Sequence, residues 1–454
     1  MISKTFKNWF FEPIHIAPLA VLRIAFGVIM FISTIRFMLR GWVEAFYVKP
    51  RFHFTFYGFD WVKPLGEIGM YALFMLMVVC TLLIAAGLLY RLAAALFFLS
   101  FTYVELIDKT TYLNHYYLVS IIAFLLILVP ANRYFAVDAW LKPQLKVVHV
   151  PAWCVNIFRL QLVMVYFFAG LSKINYDWLI AAMPLRIWLP ASSQLWLIGG
   201  LLTQLWVAYL FSWFGMIFDL LIGFFLLSNR YRKWAYLFVL VFHIVSGWFF
   251  KIGMFPYIMI FVTLVFFSAE TQLRIIAWIR LLLFIKSDSK EAGRTYKPSI
   301  IPSKLIFTVL IIHFVLQLIL PFRFVFYPGK LYWTEEGYRF SWRVMLMEKG
   351  GTAFFHVKDP TTGRSNEIIN SQYLTQFQET MMATQPDMIL QYAHFLANEY
   401  KQHGIKDPIV TAESYVTLNG SGSRLYIDTT VNLTRERETL FGHRKWIRPF
   451  IDKN

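Results

Sequence analysis

The sequence predicts an α-helical integral membrane protein, with about nine transmembrane helices followed by a small α+β extramembrane domain. The chain of 454 residues is 58% hydrophobic and only 15% charged, whereas soluble domains carry roughly 25% charged residues. Its apolar residues form runs of about 17–25, the length that crosses a bilayer as a helix. The sequence becomes mixed and polar after Pro321, which predicts a separate domain outside the membrane.

The apolar runs define the candidate spans. The first follows Lys4 and Lys7 and resembles a signal peptide, but it is too long and lacks a small-residue cleavage site, so we expect a retained first helix. The predicted spans, given as roughly bounded ranges, are 18–38, 68–89, 91–107, 112–130, 153–171, 204–228, 232–249, 254–269 and 304–321.

Charge predicts the orientation of these spans. The net charge of +17 is not accompanied by any nucleic-acid-binding motif, so no nucleic-acid partner is expected. Connections on the side of the N-terminus carry roughly twice as many Lys and Arg as those on the other side. We therefore expect a cytoplasmic N-terminus and an exoplasmic C-terminal domain, lumenal or periplasmic. Cys80 and Cys154 suggest neither a disulfide framework nor a metal site.

The chain is predicted to divide into a transmembrane domain, 1–321, and an α+β exoplasmic domain, 322–454. In the second domain, RFSWRVMLMEK and GTAFFHVKDPTTGR are predicted to form two strands. Residues 371–400 show helical spacing of apolar side chains. The segments IVTAESYVTL and RLYIDTTVNL, joined by Asn-Gly-Ser-Gly, predict a hairpin.

Ionisable residues near the outer ends of several spans are the first functional candidates, because charged groups within a membrane are costly. If the topology is correct, they converge on one outer-leaflet region: Asp108, Lys109, His115, Lys173, Asp219 and His243. Structural alternatives remain open for each class of residue. Lys173 could extend to the lipid headgroups, the histidines could only join helices by hydrogen bonds, and Asp219 could pair with Arg159.

Four segments, in order, resemble the vitamin K-dependent γ-glutamyl carboxylase family with its transmembrane HTTM domain: FHFTFYGFDW, DKTTYLNHYYL, YFFAGLSKINYDW and FHIVSGWFFKIGMFPYIM. Outside the membrane, GYRFSWRVMLME, FHVKDPTTGR and the final WIRPF resemble the lumenal domain of the same family. Each motif is weak alone, but the ordered set is specific and extends from about Pro13 to Pro449.

The resemblance implies an enzyme that uses reduced vitamin K, O2 and CO2. Oxygenation of the hydroquinone to its epoxide would drive removal of a γ-proton from a peptide glutamate, and the carbanion would take up CO2. By this resemblance Lys173 is the base for the hydroquinone. A lysine acts as a base only when neutral, and apolar burial favours the neutral form. The apolar end of its helix, with Gly170 allowing close packing, suits that role.

The resemblance assigns further site residues. His115 would bind the quinol oxygen or stabilise an oxyanion, with Asn114 orienting it, and His243 matches a second family histidine. Tyr338, Ser341 and Trp342 match the part of the lumenal domain that approaches the glutamate. The sequence departs from the pattern at Met347, where a histidine is expected. His356 lies nearby but in another register, and it is the fourth candidate for binding the substrate.

Three functions stay open at this stage. The first is the coupled carboxylase, the second a diverged quinol epoxidase or oxygenase that lacks carboxylation, and the third a non-enzymatic transporter or lipid-binding scaffold. The extensive C-terminal region of the animal enzymes has no counterpart in this sequence, which suggests a bacterial inner-membrane homologue. The expected partners are membrane lipid, quinol and a glutamate-containing peptide or protein, and no metal site is predicted.

Overall fold

A computed structural model describes residues 10–196, 198–250, 252–285, 293–297, 300–439 and 441–451. Lys4 and Lys7, which precede the first predicted span, lie outside the described residues. Every predicted span coincides with an apolar helix. Seven of these helices are long and apolar enough to cross a membrane, and two are shorter.

The bundle consists of helices that we number in chain order, counting those of at least seven residues. They are α1 (Ala17–Leu39), α2 (Gly66–Ala86), α3 (Tyr90–Ile107), α4 (Asn114–Leu128), α5 (Trp153–Ser172), α6 (Leu205–Leu227), α7 (Arg232–Phe250), α8 (Phe255–Val262), α9 (Ala269–Leu282) and α10 (Ile300–Ile319). The two short apolar helices are α4 and α8, the latter extended by a 3-10 turn to Phe266. They correspond to the fourth and eighth predicted spans.

Helix α5 is the most enclosed of the spanning helices, because 78% of its apolar stretch is buried inside the protein. Two glycines allow α5 and α6 to approach closely. A Cβ atom at Gly170 would collide with the backbone of Leu220, and one at Gly223 would lie 3.1 Å from the Cα of Val163. This contact places the last turn of α5 directly against the middle of α6.

The extramembrane domain contains a four-stranded antiparallel sheet and two helices. The strands are β3 (Lys349–Lys358), β4 (Ser365–Glu367), β5 (Ile409–Leu418) and β6 (Arg424–Leu425), in the order β4-β3-β5-β6. Helices α11 (Gln376–Met382) and α12 (Pro386–Gln402) confirm the helical spacing predicted for 371–400. Strands β1 (Pro13–His15) and β2 (His149–Pro151) pair beside the bundle, at the start of α1 and α5.

The strand prediction for RFSWRVMLMEK is wrong. Residues 339–348 form an irregular loop, and β3 begins only at Lys349. The backbone explains the difference, because Phe340, Trp342 and Met345 have φ angles of 63°, 58° and 55°. Such left-handed conformations interrupt a strand and are costly for residues other than glycine. The predicted hairpin is present, but its second strand is limited to Arg424–Leu425.

Candidate active site

The end of α5 next to the extramembrane domain is closed by Lys173, which is the C-cap of this helix. Its Nζ atom lies 2.7 Å from Oδ2 of Asp219 on α6 and 3.3 Å from the carbonyl oxygen of Ala169. Both charged side chains are only 7% exposed. Lys173 therefore does not extend to the headgroups, and the close contact at Gly170 brings its carboxylate partner to it.

Asp219 was expected to pair with Arg159 in the structural alternative, and this expectation is wrong. Arg159 lies 14 residues before Lys173 on α5, about 21 Å along the helix axis. Its guanidinium donates to the carbonyl oxygens of Val265 and Phe266 and to Oδ1 of Asn156. Arg159 is thus a structural residue near the opposite end of the bundle.

Lys173, Asp219 and His243 line one cavity of about 350 Å³ between α5, α6 and α7, which we call the membrane cavity. Most of the other lining residues are apolar, including Phe214, Phe242 and Phe255. The Nε2 atom of His243 forms a 2.9 Å hydrogen bond with the Tyr166 hydroxyl. Its Nδ1 atom is buried and has no hydrogen-bond partner among the described residues. One polar atom of His243 is therefore left unsatisfied in a residue that lines the cavity.

His115 and Asn114 lie one layer away from the membrane cavity. The His115 ring packs against Phe255 with centroids 5.7 Å apart, and Phe255 also contacts His243 at 5.6 Å. His115 is not among the residues that line the cavity. The Asn114 amide instead donates a 2.8 Å hydrogen bond to the carbonyl oxygen of Arg343 in the irregular loop. Asn114 therefore fixes the loop of the extramembrane domain to the start of α4.

A second cavity, of about 750 Å³, lies beside the end of α5 and below the extramembrane domain; we call it the outer cavity. Its polar lining combines the two domains: Ser172, Asn175, Asp177, Lys330, Tyr332, Ser341 and Arg343. Apolar side chains such as Phe168 and Phe324 complete it. Phe168 and Ser172 line the outer cavity, whereas Ala169 and Lys173 line the membrane cavity, so the two cavities lie on different sides of the end of α5.

The loop from 339 to 348 separates the two cavities. Ser341 and Arg343 line the outer cavity, whereas Val344 and Met345 line the membrane cavity. Trp342 is fully buried and stacks on Tyr117 of α4, with ring centroids 4.9 Å apart. The strained backbone of this loop is therefore held by packing, and strain of this kind is concentrated at functional sites.

The predicted substrate residues have different environments. Ser341 lines the outer cavity, and its hydroxyl donates to the Tyr338 carbonyl oxygen. Tyr338 and Trp342 support the loop, since neither lines either cavity. His356 is in the middle of β3, paired with Thr411 of β5 and Glu367 of β4. The structure does not bring His356 to the site, because it points away from the buried face formed by Phe355 and Val357.

Sequence reasoning missed Arg343. It is the only charged residue in the run Ser341 to Met347, and this isolation was the available signal. The predicted strand would have made Arg343 an ordinary alternating surface residue. The left-handed residues Trp342 and Met345, before and after Arg343, turn the backbone away from a strand conformation. The Arg343 side chain is buried instead of lying on the surface, with 7% exposed.

Asp108 and Lys109 attach the extramembrane domain to the bundle. Asp108 accepts hydrogen bonds from Thr110 and from Gln378 of α11. Burial raises the pKa of Asp108 to about 6. The folded state therefore favours the protonated acid, so the stability that this group contributes declines as pH rises from about 4 to about 6. Neither residue lines the membrane cavity.

Lys109 belongs to a buried charge cluster with Asp387 and Arg339. Asp387 Oδ2 lies 2.7 Å from Lys109 Nζ and 2.6 Å from a terminal guanidinium nitrogen of Arg339. Burial alone would raise the pKa of Asp387, but the two cations hold it well below its usual range. Burial lowers the pKa of Lys109, and Asp387 opposes this effect. The carboxylate thus neutralises a cation from each domain.

Asp387→Asn is expected to destabilise the protein by about 3–5 kcal/mol, because it removes the carboxylate that pairs directly with two buried cations, Lys109 and Arg339. Thermal unfolding in detergent measures the loss, and limited proteolysis should show earlier release of the extramembrane domain. Asp407→Asn, at an exposed position in the same domain, is the matched control. A melting temperature equal to that of the control would show that Asp387 does not hold the domains together.

The bundle, its two adjoining cavities and the sheet domain above them define a multi-pass membrane protein with a site at the junction of its domains. The model of the HTTM domain matches residues 11–270, more than half of the chain. The model described as the vitamin K-dependent gamma-carboxylase lumenal domain matches residues 302–453. The chain belongs to the vitamin K-dependent γ-carboxylase family. No solved structure shows a significant match to it.

These matches confirm the predicted family and its membrane character. The second match begins at residue 302, inside α10, so the division into 1–321 and 322–454 stays a prediction. Within the described part of the chain, no group of three or more His, Cys, Asp or Glu side chains is placed to hold a metal ion.

Proposed function

We propose that the protein oxygenates reduced vitamin K in the membrane cavity and uses this reaction to carboxylate a peptide glutamate in the outer cavity. The observation that carries the proposal is the position of Lys173, which is buried in an apolar cavity one residue from Ser172 in the outer cavity. The membrane cavity lies within the size range of about 300–1,000 Å³ typical of small-ligand sites. Its apolar walls suit a quinol that dissolves in the bilayer.

The first step is proton transfer from a quinol hydroxyl to the amine of Lys173. The amine must be neutral, and Asp219 provides the means. A proton moved from the ammonium to the carboxylate leaves a neutral amine and a neutral acid that stay hydrogen-bonded.

The later steps follow the chemistry of the family. The quinolate reacts with O2, one oxygen atom enters the epoxide, and the other leaves as water. A basic oxygen intermediate removes the γ-proton of glutamate, and the resulting carbanion forms a carbon–carbon bond with CO2. We assign His243 to the quinol, because the residue lines the membrane cavity and its Nδ1 atom has no hydrogen-bond partner among the described residues. His115 and Asn114 act as positioning residues through Phe255 and through the loop carbonyl of Arg343.

The test uses purified protein in detergent with reduced vitamin K, oxygen, a glutamate-rich peptide and labelled bicarbonate. Epoxide and peptide-bound label are measured in the same reaction. Formation of both products would establish the coupled carboxylase. Absence of both products in folded protein would refute the proposal.

A second candidate is a quinol oxygenase that lacks carboxylation. The observation that favours it is Met347, which occupies the position where the resemblance expects a histidine and which packs against the core of the extramembrane domain. His356 cannot replace that histidine, since it lies on the sheet. Epoxide without peptide-bound label, with several glutamate peptides, would favour this candidate.

We also propose that the N-terminus is cytoplasmic and the extramembrane domain exoplasmic, in a bacterial inner membrane. Ser423→Cys, in the extramembrane domain, should react with a membrane-impermeant maleimide only from outside. Lys142→Cys, between α4 and α5, should react only from the cytoplasmic side. Both positions are exposed. Cys80 and Cys154 are buried and should give little background. Reversed labelling of the two variants would invert the topology.

A further inference from the structure

We propose that Arg343 is the residue that binds the γ-carboxylate of the substrate glutamate, and that it gives the outer cavity its preference for an acidic side chain. This inference rests on the proposed function for the nature of the substrate. It adds a specificity residue that neither the motifs nor the family matches assign.

Arg343 is a buried cation without an acidic partner among the described residues. It is 7% exposed, and its Nε atom is buried without a hydrogen-bond partner. Its side chain interacts with the Tyr332 hydroxyl, but no ion pair joins it to an acidic side chain in the part of the chain that the structure describes. Its guanidinium lies over the Phe324 ring, with Cζ 4.3 Å from the centroid. An uncompensated buried charge is costly. A carboxylate entering the cavity would remove that cost.

The other two charged side chains that line the outer cavity, Asp177 and Lys330, already form a pair. Asp177 lies 3.1 Å from the Lys330 amine and accepts a 3.1 Å hydrogen bond from Asn419. These two charges cancel, so Arg343 leaves the described lining of the cavity with one net positive charge. The outer cavity therefore attracts an anion, and a cationic or neutral peptide side chain gains nothing from it.

Arg343 lies next in sequence to residues that line the membrane cavity, where the quinol reaction is proposed. Its backbone carbonyl is held by Asn114, and the next two residues, Val344 and Met345, line the membrane cavity. A carboxylate bound at Arg343 thus lies beside the wall that separates the two cavities. The flat, forked guanidinium matches both oxygens of a carboxylate. A glutamine amide presents only one acceptor and no charge.

The test measures binding directly, so it does not require turnover. A short fluorescent peptide with one glutamate, and the same peptide with glutamine, are titrated against the full-length protein in detergent by fluorescence anisotropy. We expect the wild type to bind the glutamate peptide at least about tenfold more tightly, as charge-assisted hydrogen bonds are stronger than neutral ones. Arg343→Gln should remove this preference, and Arg343→Lys should retain part of it.

Arg364→Gln, an exposed arginine of the same domain, controls for a general change in charge and should keep the full preference. Thermal unfolding checks that each variant is folded. Equal binding of the two peptides by the wild type, or an undiminished preference in folded Arg343→Gln or Arg343→Lys protein, would overturn the inference. If Arg343→Gln fails to fold, the wild-type comparison and the lysine variant decide the matter.

The two proposals fail in different ways. An Arg343-dependent preference for glutamate without epoxide or carboxylated product would support the binding site and refute the proposed reaction. Product formation with an unchanged peptide KM in folded Arg343→Gln protein would support the reaction and refute the binding role.

Discussion

Lys173→Ala is expected to abolish epoxide formation and carboxylation together, with a loss in rate of at least about 100-fold, the lower range for removal of a general base. The reason is that no other amine lines the membrane cavity among the described residues. Without the base, the quinol is not deprotonated, and no oxygen intermediate forms to activate the glutamate. The measurement follows epoxide and peptide-bound label in the same samples.

Lys142→Ala is the control for this variant, because Lys142 is an exposed lysine in the connection between α4 and α5. Binding of a quinone analogue, followed by tryptophan fluorescence, shows whether the membrane cavity is intact in Lys173→Ala. Epoxide formation near the wild-type rate in this variant would rule out Lys173 as the base. Loss of carboxylation alone would move Lys173 from the quinol step to the peptide step.

The second large effect concerns stability. Lys173→Met and Asp219→Leu are each expected to destabilise the protein by about 3–5 kcal/mol, because each leaves one buried polar partner without the other. The double variant should be more stable than either single variant, since two apolar side chains of similar size replace the pair. Thermal unfolding of the four proteins in one detergent gives the coupling free energy.

Additive losses in the double variant would contradict a direct Lys173–Asp219 interaction. A double-mutant cycle of the same design, with Arg159→Met and Asp219→Leu, is the control. The effects should be additive, because Arg159 is hydrogen-bonded to the carbonyl oxygens of Val265 and Phe266. Along α5 it lies about 21 Å from Lys173, the partner of Asp219.

The sequence was sufficient to predict the helices and the end of α5 but not the partners of its charged residues. Span length and hydropathy are local properties, so each predicted span coincides with an apolar helix. The choice between Arg159 and Lys173 as the partner of Asp219 depends on how α6 crosses α5. Gly170 sets that crossing, and its effect depends on the tertiary packing of the two helices.

For the candidate site, too, the sequence predicted residues but not all of their contacts in space. Lys173 and His243 were predicted to converge, and they share the membrane cavity. His115 was expected beside them, but Phe255 lies between them, which no residue pattern indicates. Residues 339–344 alternate polar and apolar side chains like a strand, and the left-handed residues of the loop disrupt that geometry. This is why Arg343 was missed and why the outer cavity could not be predicted.

The short helix α4 has a consequence for the bilayer around the protein. Its 15 residues extend about 22 Å, whereas the hydrocarbon core of a bilayer is about 30 Å thick. Irregular backbone is tolerated at that depth only where protein covers it or where it lines a cavity. The loop from 339 to 348 meets both conditions. Protein covers it where Trp342 stacks on Tyr117 in the first turns of α4, and its residues line the two cavities. A piece of the second domain, rather than lipid, therefore covers this end of α4 at Tyr117.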